Sequence, residues 1–212
     1  MGGAAEAGEA GEAGEVGEVG EAGEAGEAGE ARTIYTIGHS TRPIEEFVAA
    51  LRPYAIERLV DVRTVPGSRR NPQFGQASLQ RSLVDAGIEY AHMKSLGGLR
   101  RPAKDSVNGG WRNASFRGYA DYMQTDEFAG AVDALIALAR EKPTVIMCAE
   151  SVPWRCHRSL VGDALLVRGL TVVDILSATQ LQPHALTPFA KVAGTKITYP
   201  PEGEGDGIRK LL

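Results

Sequence analysis

The chain has 212 residues, 43% of them hydrophobic, and 23 basic against 27 acidic residues give a net charge of −4. No apolar run is long enough to cross a membrane, which excludes a membrane-spanning class. Two cysteines in a chain without an export signal point to a reducing, cytoplasmic setting in which thiols stay free.

Residues 1–31 read as a disordered low-complexity tail. Within residues 8–30, Gly-Glu-Ala or Gly-Glu-Val repeats in strict triplets, and residues 1–31 hold nine glutamates and no basic residue. A charge on every triplet repels its neighbours, and nothing there buries enough apolar area to offset chain entropy. Without the tails the balance reverses: residues 32–201 hold 21 Lys and Arg against 15 Asp and Glu. Between Arg58 and Arg117 there are eleven basic and four acidic residues, a surface suited to phosphate on a nucleotide or nucleic acid.

In chain order, the β-branched "TIYTIGHS" (33–40) predicts a strand, followed by a helix over 43–54 with Ile44, Phe47, Val48 and Leu51 on one face. A second strand covers 58–63, a short helix covers 77–87 and stops at Gly87, and a third strand covers 88–93. Residues 94–115 are Gly-, Arg- and Asn-rich and too long for an ordinary connection, so they read as a functional loop or a lid. Two helices follow around "FRGYADYM" and "DEFAGAVDALIALAREK". Residues 143–148 form a fourth, wholly apolar strand, 156–169 a helix, and 170–176 a fifth strand. This alternation predicts a single doubly wound α/β domain over 32–198, with a mostly parallel sheet of about five strands. Residues 199–212 read as a flexible C-terminal tail.

In an open parallel sheet, ligands bind beyond the carboxyl ends of the strands. His39 and Ser40 follow the first strand; Arg63, Ser68, Arg69 and Arg70 follow the second; His92 ends the third. Cys148, Glu150, Cys156, His157 and Arg158 follow the fourth. A helix starting near Pro153–Cys156 would aim unpaired N–H groups at that rim, attract an anion and favour a Cys156 thiolate. His157 could move a proton near neutral pH. Cys148, at the end of an apolar strand, reads more simply as a buried filler.

Several motifs fail. A cysteine-phosphatase loop needs Arg six places after its Cys, where Trp154 stands after Cys148 and Gly162 after Cys156. There is no Gly-Lys-Ser/Thr phosphate loop. The C-x7-C spacing indicates neither a redox pair of the C-x-x-C kind nor a zinc ribbon, so no metal or other cofactor is expected, although a zinc site from Cys148, Cys156 and a histidine is geometrically possible.

The segments "TIGHST", "LVDVRTVPGSRRNPQF", "YAHMKSLGG" and "CAESVPWRCHR", in that order, resemble the bacterial and archaeal domain-of-unknown-function 488 family over roughly residues 33–180. The resemblance implies a compact α/β domain and shared positions at His39, Ser40, Asp61, Arg63, Ser68, Arg69, His92, Cys148, Glu150, Cys156, His157 and Arg158; it supplies no activity. Three readings stay open. The first is an enzyme acting on a phosphate-bearing small molecule or nucleic acid. There Cys156, His157, Glu150 and His39 are catalytic, and Ser40, Arg63, Ser68, Arg69, Arg70, His92 and Arg158 bind substrate. The second is a non-catalytic nucleotide- or nucleic-acid-binding module, and the third a thiol redox sensor.

Overall fold

The structure is a computed structural model and describes residues 32–201. The acidic tail expected over 1–31, and residues 202–212 of the C-terminal tail, lie outside the described residues. Five parallel strands, β1 (Thr33–Gly38), β2 (Arg58–Asp61), β3 (Glu89–His92), β4 (Thr144–Cys148) and β5 (Thr171–Ser177), carry the fold. A sixth, β6 (Gln180–Pro183), joins the edge antiparallel to β5, and the order across the sheet is β3-β2-β4-β1-β5-β6. A separate hairpin pairs β7 (Lys191–Ala193) with β8 (Lys196–Thr198).

Successive residues of a strand face opposite sides, so a fully buried strand must be apolar throughout. In β4, Val145 and Met147 pack into one core cluster and Ile146 and Cys148 into the other. Helices α1 (Ile44–Leu51) and α2 (Gln76–Asp85) cover the first face with Phe47, Leu51, Leu79 and Leu83. Helices α3 (Ala114–Tyr122), α4 (Asp126–Glu141) and α5 (Arg158–Leu166) cover the second. The Thr125 side chain caps α4 by accepting the Phe128 N–H, and Phe128, Val132 and Leu135 point inward, each contributing roughly 1.5–3 kcal/mol by burial.

The connection from β1 runs one way across the sheet to β2, and that from β4 runs the other way to β5, although β1 and β4 are neighbours. The carboxyl ends of β1 and β4 thus form a topological switch point, where a crevice opens in such sheets.

Three features bear on the sequence reading. The last helix begins at Arg158: Pro153–Arg155 form a 3-10 turn and Cys156 is extended (φ −132°, ψ 141°), so Cys156 precedes the helix and receives no first-turn dipole. The loop over 94–115 is pinned. The Asp121 carboxylate accepts from Ala103 N, Ser106 Oγ and Asn108 Nδ2, and the Arg100 guanidinium lies 3.5 Å over the Tyr122 ring. Tyr199, placed by the sequence in the tail, is buried and donates to Asp163. Among the described residues, no helix is long and apolar enough to cross a membrane.

Candidate functional site

A cavity of about 730 Å³ opens at the switch point, with Cys148, Cys156 and His157 in its lining. The turn after β1 is fixed to the loop after β4: His39 N donates to Cys148 O and Ser40 N to Ala149 O, both at 2.9 Å. Ser40 adopts φ 53°, a left-handed conformation that a non-glycine residue holds at a cost of about 1 kcal/mol or more. Gly38 is required at the end of β1, because a Cβ there would overlap the Glu150 carbonyl.

His39 has both ring nitrogens engaged. A guanidinium only donates, so Arg63 Nη1, 3.3 Å away, fixes Nε2 as acceptor and Nδ1–H as donor to Ser40 O at 2.7 Å. Burial lowers its pKa to about 4, helped by the Arg63 charge, so the ring is neutral at pH 7. It stacks on Phe74 with centroids 4.2 Å apart. Arg63 in turn grips Asp61, with Nε 2.9 Å from Oδ1 and Nη2 2.6 Å from Oδ2. Tyr90 also donates to Asp61 Oδ2. This is a buried, neutralised unit that holds the cavity wall.

The thiols sit on the floor. His157 Nε2 lies 3.1 Å from the Val62 carbonyl and donates to it, which turns Nδ1 toward both sulfurs, 3.8 Å from Cys148 Sγ and 3.7 Å from Cys156 Sγ. The hydrogen bond from Cys156 holds the Cys148 thiol below its ordinary pKa against the opposing effect of burial. The backbone N–H groups of Ala149 and Glu150 and the Arg158 charge lower it further. The same hydrogen bond and burial push Cys156 well up. Cys148 therefore ionises first, with Cys156 as its donor. The C-terminal end of β4, the fold-back of 149–155 and the Arg158 side chain at the start of α5 create this environment.

Of the residues singled out in the sequence, His39, Ser40, Arg63, Ser68, Arg70, Glu150, Cys156 and His157 all line the cavity. Arg69, His92 and Arg158 do not. Arg69 is exposed, and His92 Nε2 donates to Arg63 O at 2.8 Å, bracing that segment. Arg158 is 1% exposed, and its guanidinium donates to Thr36 Oγ1, Glu150 O and Ser151 O. Arg63 is thus paired with Asp61, and Arg158 spends donors on a hydroxyl and two backbone carbonyls inside the protein. Exposed Arg70 and Arg155 line the cavity and form no ion pair with a described residue. Cys148, read from the sequence as a filler, also lines the cavity.

A second buried polar cluster escaped the sequence reading entirely. His184 bridges Asp163 (3.1 Å) and Asp174 (3.3 Å), Tyr199 donates to Asp163, and Thr36 donates to Asp174. The available signal was a carboxylate in each of two otherwise buried runs, "LVGDALL" and "VVDIL".

No curated protein and no solved structure matches the chain. A family model does: "Domain of unknown function DUF488" matches residues 43–165, from the start of α1 into α5. That span is more than half of the chain and includes Asp61, Arg63, His92, Cys148, Cys156, His157 and Arg158, whereas β1 and His39 precede it. The chain belongs to the DUF488 family.

Proposed function

We propose that the protein is an enzyme acting on a phosphate-bearing substrate, a nucleotide or a nucleic acid, with Cys148 as its nucleophile. The observation that carries this reading is the Cys148 sulfur in the lining of the switch-point cavity, 3.8 Å from His157 Nδ1 and within 4.8 Å of the Cys156 sulfur. Arg70 and Arg155 bind the phosphate at the mouth as charged, multidentate donors. His157 Nδ1 accepts the Cys148 proton as the sulfur attacks phosphorus and returns it to the leaving oxygen as the P–O bond breaks; water then cleaves the S–P bond and restores the thiol, while Nε2–H stays on Val62 O. Cys156 stabilises the thiolate, and His39 holds Arg63 and the Ser40 turn. In a reducing, cytoplasmic setting both sulfurs remain available for this chemistry.

A second reading, a non-catalytic binding module in the same cavity, draws on the burial of both thiols, 6% and 3% exposed. One panel separates the two. Thermal shift with nucleotides, sugar phosphates and short oligonucleotides should reveal a stabilising ligand, worth about 2.7 kcal/mol at a hundred times its Kd. Cys148→Ser should keep that shift and lose turnover, and Arg70→Ala with Arg155→Ala should lose the shift. Turnover surviving in Cys148→Ser would remove the catalytic assignment. A wild-type protein unmoved by every ligand would remove both readings. A steep fall of affinity with salt assigns the ligand to nucleic acid, and a shallow one to a small nucleotide.

A further inference from the structure

The three side chains on the cavity floor form a ligand set that neither the family nor the proposed activity assigns. We propose that Cys148, Cys156 and His157 bind one thiophilic divalent cation, zinc being the best match, with a fourth coordination position open to the cavity. The two sulfurs and His157 Nδ1 all lie within 4.8 Å of one another. Tetrahedral zinc has bonds of about 2.3 Å to sulfur and about 2.0 Å to nitrogen, which makes its sulfur–nitrogen edges roughly 3.6 Å. The separations of 3.7 and 3.8 Å exceed that by a small side-chain adjustment.

The histidine is oriented as a ligand. Its Nε2–H is tied to the Val62 carbonyl at 3.1 Å, so the Nδ1 lone pair faces the sulfurs. A metal-binding imidazole commonly has its other nitrogen fixed in this way by a carbonyl or carboxylate. The ring cannot swing aside: Tyr119 packs on it at 5.0 Å, and Gly98 approaches so closely that an added Cβ would overlap the imidazole. Charge also matches. Two thiolates neutralise a divalent cation, so the loaded cluster is neutral.

Two sulfurs and one imidazole leave tetrahedral coordination incomplete. The cavity supplies room for a water or a substrate oxygen, as in catalytic zinc sites. The site shares Cys148 with the proposed nucleophile, so cation and covalent chemistry compete for one sulfur. The proposal does not depend on the substrate class.

The test uses the full-length protein, reduced with a non-chelating phosphine and stripped with a chelator. Zinc is titrated in competition with a chromophoric chelator, and cobalt(II) is added separately. The expected result is one equivalent of zinc bound and a cobalt spectrum with thiolate-to-metal charge transfer and tetrahedral d–d bands. One equivalent of zinc should also protect both thiols from alkylation. Cys156→Ser and His157→Ala should lose tight binding. Weak or non-stoichiometric zinc uptake, or a cobalt spectrum without a sulfur band, overturns the site, and both are read on the wild-type chain whether or not the variants fold. A protein that takes no zinc yet is stabilised by nucleotides loses only this site. One that takes zinc but no phosphate-bearing ligand loses only the proposed function.

Discussion

Arg158 Nε donates to Thr36 Oγ1 at 3.2 Å, and that one contact joins the cavity floor to the buried cluster around His184. The same guanidinium holds the carbonyls of Glu150 and Ser151, so the loop around Cys148 takes its shape from an arginine on the far side of its own backbone. Arg158→Met should destabilise the fold by about 3 kcal/mol or more, because it leaves two carbonyls and a hydroxyl without their buried partner. Arg70→Ala and Arg155→Ala, both exposed, should each change stability by less than about 0.5 kcal/mol while weakening ligand binding. Urea unfolding beside ligand titration checks the contrast, and equal stability costs for all three would contradict it.

The two engaged histidines predict a stability optimum. His184 is buried, which alone lowers its pKa, but hydrogen bonds and charges from Asp163 and Asp174 raise it to about 9 from 6.5. Its contribution is complete below pH 6.5 and is lost as pH rises toward 9, since the folded state then holds the extra proton. His39 runs the other way: its pKa of about 4 means that the unfolded chain binds the extra proton between pH 6.5 and 4, so stability falls with acidification across that window. Each limb amounts to about 3 kcal/mol. Unfolding free energy measured from pH 4 to 10 should peak near neutrality, and His184→Gln should flatten only the alkaline limb.

Cys148 should be the first sulfur to alkylate. With limiting iodoacetamide at pH 7, mass spectrometry of tryptic peptides should find label on Cys148 ahead of Cys156, because the thiolate is the attacking form. Cys156→Ser should change the rate at Cys148, since its sulfur donor is replaced. Equal labelling, or label on Cys156 first, would reverse the assignment of nucleophile and donor.

Gly98→Ala addresses the imidazole without touching it. The new methyl group would overlap the His157 ring, so the ring must leave its place between Val62 O and the sulfurs. A loss of about 1–3 kcal/mol is expected, as for other overpacked sites, together with a changed Cys148 alkylation rate.

The alternation of strands and helices was legible because each face of a buried parallel sheet demands apolar runs, which is why β1 to β5 stand out. The edge strand β6 and the hairpin β7–β8 carry no such signal: residues 180–183 and 191–193 are exposed along their whole length. The convergence of His39, Arg63 and Cys156 on one rim could also be read, since strand ends are visible in the sequence. What each side chain does there was not, because a sequence displays charges without their partners. Arg63 and Arg158 read as phosphate ligands, yet Asp61 and two backbone carbonyls hold them. Cys148 read as a buried filler from its place at the end of an apolar strand, and it is buried at 6% exposure; the C-x7-C spacing hides how residues 149–155 fold back and return Cys156 to its side. The Asp163–His184–Asp174 bridge was hidden by distance along the chain, although each aspartate interrupts an otherwise apolar run.

Among the described residues, β1 is the first strand in sequence and an inner strand in space, hydrogen-bonded to β4 and β5. Its nearest partner begins at Thr144, more than a hundred residues later. During synthesis, therefore, "TIYTIG" leaves the ribosome without a mate and stays solvated until most of the domain has emerged. Closing so large a loop makes assembly slow relative to proteins built from local contacts. Throughout that wait the apolar segment is open to pairing with another nascent chain, and the nine glutamates encoded just ahead of it place like charges on both chains beside that segment, where they oppose such encounters.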